Sequence, residues 1–136
     1  MFNLEKHFYD EIITHALEDD PNECCGLLVG SGGKVLKLYR TTNTLHSPIR
    51  YNIEPKELLQ IHREVDDNGW DIVAIYHSHT HTHAYPSATD IQLAFWPDSF
   101  YLIVSLQEKK TPLLRAFYIR NGQVTEETIN VVNPQS

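Results

Sequence analysis

Two histidines one residue apart, His77 and His79, are followed closely by Ser87 and Asp90, and these are side chains that can hold a metal. In an extended backbone the two histidines point to one side with Cα atoms about 6.6 Å apart, at ~3.3 Å of rise per residue. Both imidazoles can then meet one ion through bonds of roughly 2.0–2.1 Å. Asp90 lies three residues beyond Ser87 on the same face of an expected helix start, where its carboxylate can supply a third protein bond. Two imidazoles and one carboxylate leave a fourth position open. An open position admits a water whose pKa the metal lowers toward neutrality, so the set predicts one zinc ion (Zn2+) per chain and hydrolytic chemistry.

Attack on an amide needs a base that takes the water's proton and returns it to the leaving amine, and a carboxylate outside the metal shell suits that role. Glu23 is the candidate, because it stands beside the Cys24-Cys25-Gly26 start of an apolar strand, where partial burial raises a carboxyl pKa. Ser87 is a short donor for the oxyanion of a tetrahedral intermediate. Simpler roles stand beside these. Ser87 can be a helix N-cap with Asp90 in the first turn, and both readings can hold together. His81 and His83 read as loop histidines or as groups supporting the ligands, since a strand should end before them. Cys24 and Cys25 read as small core residues, and Tyr85 as a wall of a substrate groove.

The elements that must position these residues alternate between helical and strand periods, which predicts an α/β fold in one domain over residues 1–136, a mixed β-sheet flanked by helices. A helix over residues 5–18 would bury Phe8, Ile12, Ala16 and Leu17 and stop at Asp19-Asp20-Pro21. Strands over 26–30 and 34–39 flank the hairpin signal Ser31-Gly32-Gly33. A short extended piece over 50–53 precedes a helix opened by Pro55 and stopped at Gly69. The apolar run over 72–76 reads as a central strand covered on both faces, ending at Tyr76 or His77. That end would present the two histidines at the sheet's carboxyl edge, where α/β folds place their sites. A helix over 87–95 and strands over 100–106, 113–119 and 124–132 complete the chain.

Eleven Lys and Arg against eighteen Asp and Glu give a net charge of −7, which argues against nucleic acid as a partner. The longest apolar run, residues 100–104, is far short of the ~20 residues a bilayer needs, so no membrane association is expected. The first residues lack the basic start and apolar middle of a signal peptide, and the only two cysteines are sequence neighbours, so a cytoplasmic protein without a disulfide framework is expected. No His-Glu-x-x-His pair is present, His62-Arg63-Glu64 lacks the Pro-Cys-x-x-Cys partner of a nucleobase deaminase, and Val35 stands where a phosphate-binding loop needs Ser or Thr.

Glu23, then His77-Ser78-His79, seven residues, and Ser87-Ala88-Thr89-Asp90 resemble the JAMM (MPN-plus) zinc metalloproteases at every position of that motif. The resemblance implies His77, His79 and Asp90 as zinc ligands, Glu23 as general acid/base and Ser87 as the residue assisting the intermediate. The segments Pro21 to Leu28, Tyr76 to Thr80 and Ala84 to Asp90 look most like the small stand-alone bacterial members, which include peptidases that free cysteine from a ubiquitin-like sulfur-carrier protein. The resemblance therefore implies, as partner and substrate, a small ubiquitin-like protein with a Gly-rich carboxyl terminus, and it leaves the oligomeric state open. Deubiquitinase-like isopeptidase activity and a non-catalytic MPN-type binding module are the alternatives, and His81 and His83 are the residues the pattern does not require.

Overall fold

The computed structural model describes residues 1–133. A six-stranded sheet runs in the order β3-β2-β4-β5-β6-β7, formed by β2 (Cys25–Ser31), β3 (Lys34–Thr41), β4 (Asp71–His79), β5 (Phe100–Ser105), β6 (Leu113–Arg120) and β7 (Gln123–Glu127). Within this sheet β4 and β5 pair in parallel and the other neighbours are antiparallel. Helix α1 (Lys6–Asp19) covers one face and α2 (Pro55–Asn68) the other, with the short α3 (Ala88–Gln92) between β4 and β5. The mixed sheet between helices is the architecture that the alternating periods predict.

Strand β4 is enclosed by β2 and β5, which explains its unbroken apolar run. Its even-numbered residues Ala74 and Tyr76 pack with Leu28, Leu102 and α1's Phe8 and Ile12. Ile75, of opposite parity, packs with Leu27, Tyr101 and α2's Ile61 and Val65. Full burial of an aliphatic side chain such as Leu28 or Leu102 contributes about 1.5–3 kcal/mol. Gly69 ends α2 in the left-handed conformation, φ 66°, as the expected stop.

Four boundaries differ from expectation. Strand β4 runs through His79 rather than ending at residue 76 or 77, because β5 continues to pair with it as far as His79↔Ser105. The helix expected over 87–95 is one turn, Ala88–Gln92. The piece over 50–53 supplies a single bridge, Asn43↔Ile53, and not a strand. The strand expected over 124–132 divides at Thr128 into β7, which closes the sheet, and β8 (Ile129–Val132). Strand β8 pairs in parallel with an unexpected β1 (Phe2–Glu5), whose Phe2 and Leu4 are buried. The last three residues of the expected domain lie outside the described ones.

Candidate active site

The register of β2 on β4 assembles the site. Cys25 pairs with His77 in an antiparallel ladder. Beyond that pair, Ser78 N donates to Cys24 O at 3.2 Å and Cys24 N donates to Ser78 Oγ at 2.8 Å. One further step brings Glu23 opposite His79. Because side chains alternate across a sheet, Glu23, Cys25, His77 and His79 share the face that α2 covers, while Cys24 and Ser78 turn to the α1 side.

The histidine rings and Asp90 converge. His77 Nε2 lies 3.2 Å from His79 Nε2, and Asp90 Oδ2 lies 3.2 Å from the first and 2.9 Å from the second. Three donors at 2.0–2.1 Å from a tetrahedral ion stand about 3.3 Å from one another, so these atoms already have the spacing of a small cation's cage. Two imidazoles and a carboxylate are also a donor set suited to zinc and to several other divalent ions. Among the described residues these three form such a group, and His81 and His83 do not join it. His79 Nδ1–H donates to the His83 carbonyl at 2.9 Å, which turns Nε2 toward His77 and Asp90. His81 Nδ1 instead meets Thr80 Oγ1 at 2.8 Å. The carbonyl of His83 thus orients the His79 ring while its own ring stacks on Tyr85.

Asp90 owes its placement to the start of α3. Ser87 Oγ accepts from Asp90 N at 3.0 Å and Asp90 Oδ2 accepts from Ser87 N at 2.9 Å, a reciprocal cap. Burial pushes the Asp90 carboxyl up, but hydrogen bonds from His77 and His79 outweigh it and hold the group well below the usual carboxylate range. Burial lowers the basicity of His77, while at His79 the bonds to Asp90 and the His83 carbonyl overcome burial and raise it. The cap and the ligand readings of Ser87 and Asp90 are therefore compatible in one geometry.

Glu23 is 4% exposed, and burial pushes its carboxyl up to about 8, with the charge of His79 lowering it and that of Asp90 raising it. Its backbone is clamped by the loop over residues 42–54. Glu23 N donates to Ser47 O at 2.8 Å, and Asn43 Nδ2 donates to Glu23 O at 3.0 Å and to Arg50 O at 2.9 Å. From the same loop the Tyr51 ring stacks on His77, with centroids 4.4 Å apart. Asn43 and Tyr51 are positioning residues that the sequence reading does not single out. Their only signal is a polar loop without periodicity. Both cysteine thiols are pushed up to about 12 by burial, as befits structural residues. An apolar groove of about 540 Å³, lined by Asp90, Tyr51, Leu93, Phe95 and Trp96, opens beside the cluster. Tyr85 lies instead edge-on to Phe117.

The family of prokaryotic homologs of the JAB domain matches residues 5–120. The CysO-cysteine peptidase of Mycobacterium tuberculosis is 42% identical over 123 residues, 89% of this chain and 84% of that protein. A desampylase of Haloferax volcanii is 36% identical over 109 residues, covering 75% of this chain and 78% of that protein. The solution structure of a Desulfitobacterium hafniense protein superposes with a TM-score of 0.87 at 38% identity, covering 98% and 94% of the two chains.

Proposed function

The chain belongs to the prokaryotic JAB-domain family, and from that premise we propose that it is a zinc-dependent metallopeptidase hydrolysing an amide at the carboxyl terminus of a small ubiquitin-like sulfur carrier, with cysteine or a similar amino acid released. The convergence of His77 Nε2, His79 Nε2 and Asp90 Oδ2 beside the buried Glu23 carries the reading. A divalent cation held by these three residues supplies a Lewis acid and a water of lowered pKa.

The chain's own residues do the rest. Glu23, buried beside His79 and Asp90, accepts the attacking water's proton and delivers it to the nitrogen of the breaking C–N bond. The Ser87 hydroxyl, whose oxygen accepts from Asp90 N, keeps its hydrogen free to donate to the developing oxyanion. Tyr51 covers the His77 ring and excludes water from that side. The apolar groove beside Asp90 suits the extended acyl side of the substrate. The name of the relative at 42% identity supports a carrier–cysteine conjugate as substrate.

Mass spectrometry tests the reading on a ubiquitin-like protein ending in Gly-Gly with one cysteine appended by an amide. Incubation with the zinc-loaded enzyme should remove the cysteine, and chelation should stop the removal. A zinc-loaded preparation inert toward this and other carrier conjugates would instead support the binding-module alternative.

A further inference from the structure

The groove beside Asp90 gathers exposed hydrocarbon into one concavity. Leu45 and Ile49 of the loop over 42–54, and Leu93 and Phe95 after α3, all line it, and each is more than half exposed. Single apolar side chains on a surface are ordinary, but four sharing one groove mark a surface that another chain covers. The lining includes Asp90 and Tyr51, so the groove is continuous with the metal-binding group, whereas Glu23 is absent from it.

Besides Asp90, Arg50 is the one charged residue in that lining. The Asp90 carboxylate is taken up by His77, His79 and Ser87 N. Arg50 differs from its basic counterparts elsewhere. Lys37, Arg40 and Arg115 each pair with a glutamate, while the Arg50 guanidinium has no ion pair or hydrogen bond among the described residues. Its backbone is nonetheless fixed, because Asn43 Nδ2 donates to Arg50 O at 2.9 Å and the next residue, Tyr51, stacks on His77. With Asp90 committed to the metal-binding group, the charge left to the groove is positive, although the chain as a whole carries −7.

We infer that Arg50 is a specificity residue, making the groove select carrier tails with apolar side chains and an acid near the Gly-Gly end over tails that carry Lys or Arg. The inference rests on the reading of the site as an amide hydrolase acting on such a tail. Glu23 protonates the departing nitrogen and must lie within hydrogen-bond reach of it, so the nitrogen is on Glu23's side. The acyl chain then leads away along the lining that holds Asp90 and Tyr51 but not Glu23. An extended tail advances ~3.3 Å per residue with side chains alternating, so one set enters the groove's hydrocarbon and Arg50 reads a single position. A carboxylate there is attracted and an ammonium or guanidinium repelled, which discriminates among carriers more than it adds affinity.

The test uses the metal-loaded full chain and peptides ending in Gly-Gly with cysteine appended by an amide, alike except for Asp, Asn or Lys at each of the four positions before Gly-Gly. At one position kcat/KM should fall in the order Asp, Asn, Lys, by about twofold to fivefold per step, the size of a solvent-screened pair, and high salt should shrink the spread. Arg50→Lys should keep that order, Arg50→Gln should collapse it and Arg50→Glu should invert it. An order unchanged in Arg50→Gln, or a Lys peptide preferred by the wild type, would overturn the inference. So would an Arg50-dependent effect of an acid placed in the leaving group, since the groove would then hold the other side of the bond. Independently of turnover, the Asp peptide ending in a free Gly-Gly carboxylate should shift the Trp96 indole resonance and the amide resonances of Leu93 and Phe95, and it should bind more weakly to Arg50→Gln. Shifts confined to other residues, or none, would show that the tail does not lie here. Cleavage of no peptide while this binding persists would instead remove the hydrolase reading and leave the docking surface standing.

Discussion

Glu23, buried, and Asp90, partly buried, are the acids of the site, yet substitution should separate their roles. Glu23→Gln keeps volume and removes the proton acceptor, so it should retain stoichiometric metal and lose roughly 10²–10⁴ in turnover. Equal loss of metal in this variant, read by elemental analysis of the purified protein, would make Glu23 a ligand. Asp90→Ala deletes the oxygen that meets His77, His79 and Ser87 N together, so metal content should fall to background. Full metal content in this variant would show that the cage closes without the carboxylate. The His77, His79 and Asp90 group is readable in the sequence because its spacing follows the two-residue period of a strand and the three-residue reach of a helix cap. Tyr51 and Asn43 are not, since a ring stacked on His77 and an amide clamping Glu23 arise from how a loop folds back, and no periodicity encodes that.

The pairing of β2 with β4 brings Glu23 to the histidines, and Gly26 is where that pairing is most sensitive. A Cβ at Gly26 would stand 2.2 Å from the Tyr76 ring, which is fully buried and fixed by its hydroxyl bond to His15. The ring cannot give way, so Gly26→Ala should destabilise the fold by about 1–3 kcal/mol and lower activity at temperatures where the wild type is intact. Thermal unfolding followed by circular dichroism checks this, and an unchanged midpoint would mean that Tyr76 has room to move. Element types follow the periodicity well, and the departures have local causes. The run into α1 directly from β1 contains no turn residue, so nothing in the sequence marks Phe2–Glu5 as a strand until β8 is there to pair with it. The ladder of β4 continues through His79 because β5 supports it, a long-range partner invisible in the residues themselves.

Over the whole molecule, Glu23 and Asp90 give the metal-free protein a pH-dependent stability whose sign follows from the directions of their shifts. Asp90 has its pKa depressed in the fold by the imidazoles, so its contribution is present above the ordinary carboxylate range and is lost as pH falls through it. Glu23 acts in the opposite sense. Its folded pKa of about 8 exceeds the ordinary 4.5, so the folded state binds more protons, and stability falls as pH rises from 4.5 to 8. Glu23→Gln removes that second dependence and leaves the first. In the presence of chelator, variant and wild type should unfold with closely similar midpoints near pH 4.5, and the variant should become the more stable by a few kcal/mol as pH approaches 8. Urea unfolding at a series of pH values measures the difference directly. A difference that stays flat across that window would mean that the Glu23 carboxyl is hydrated in the metal-free fold, and the proton-shuttling role would then lose its physical basis.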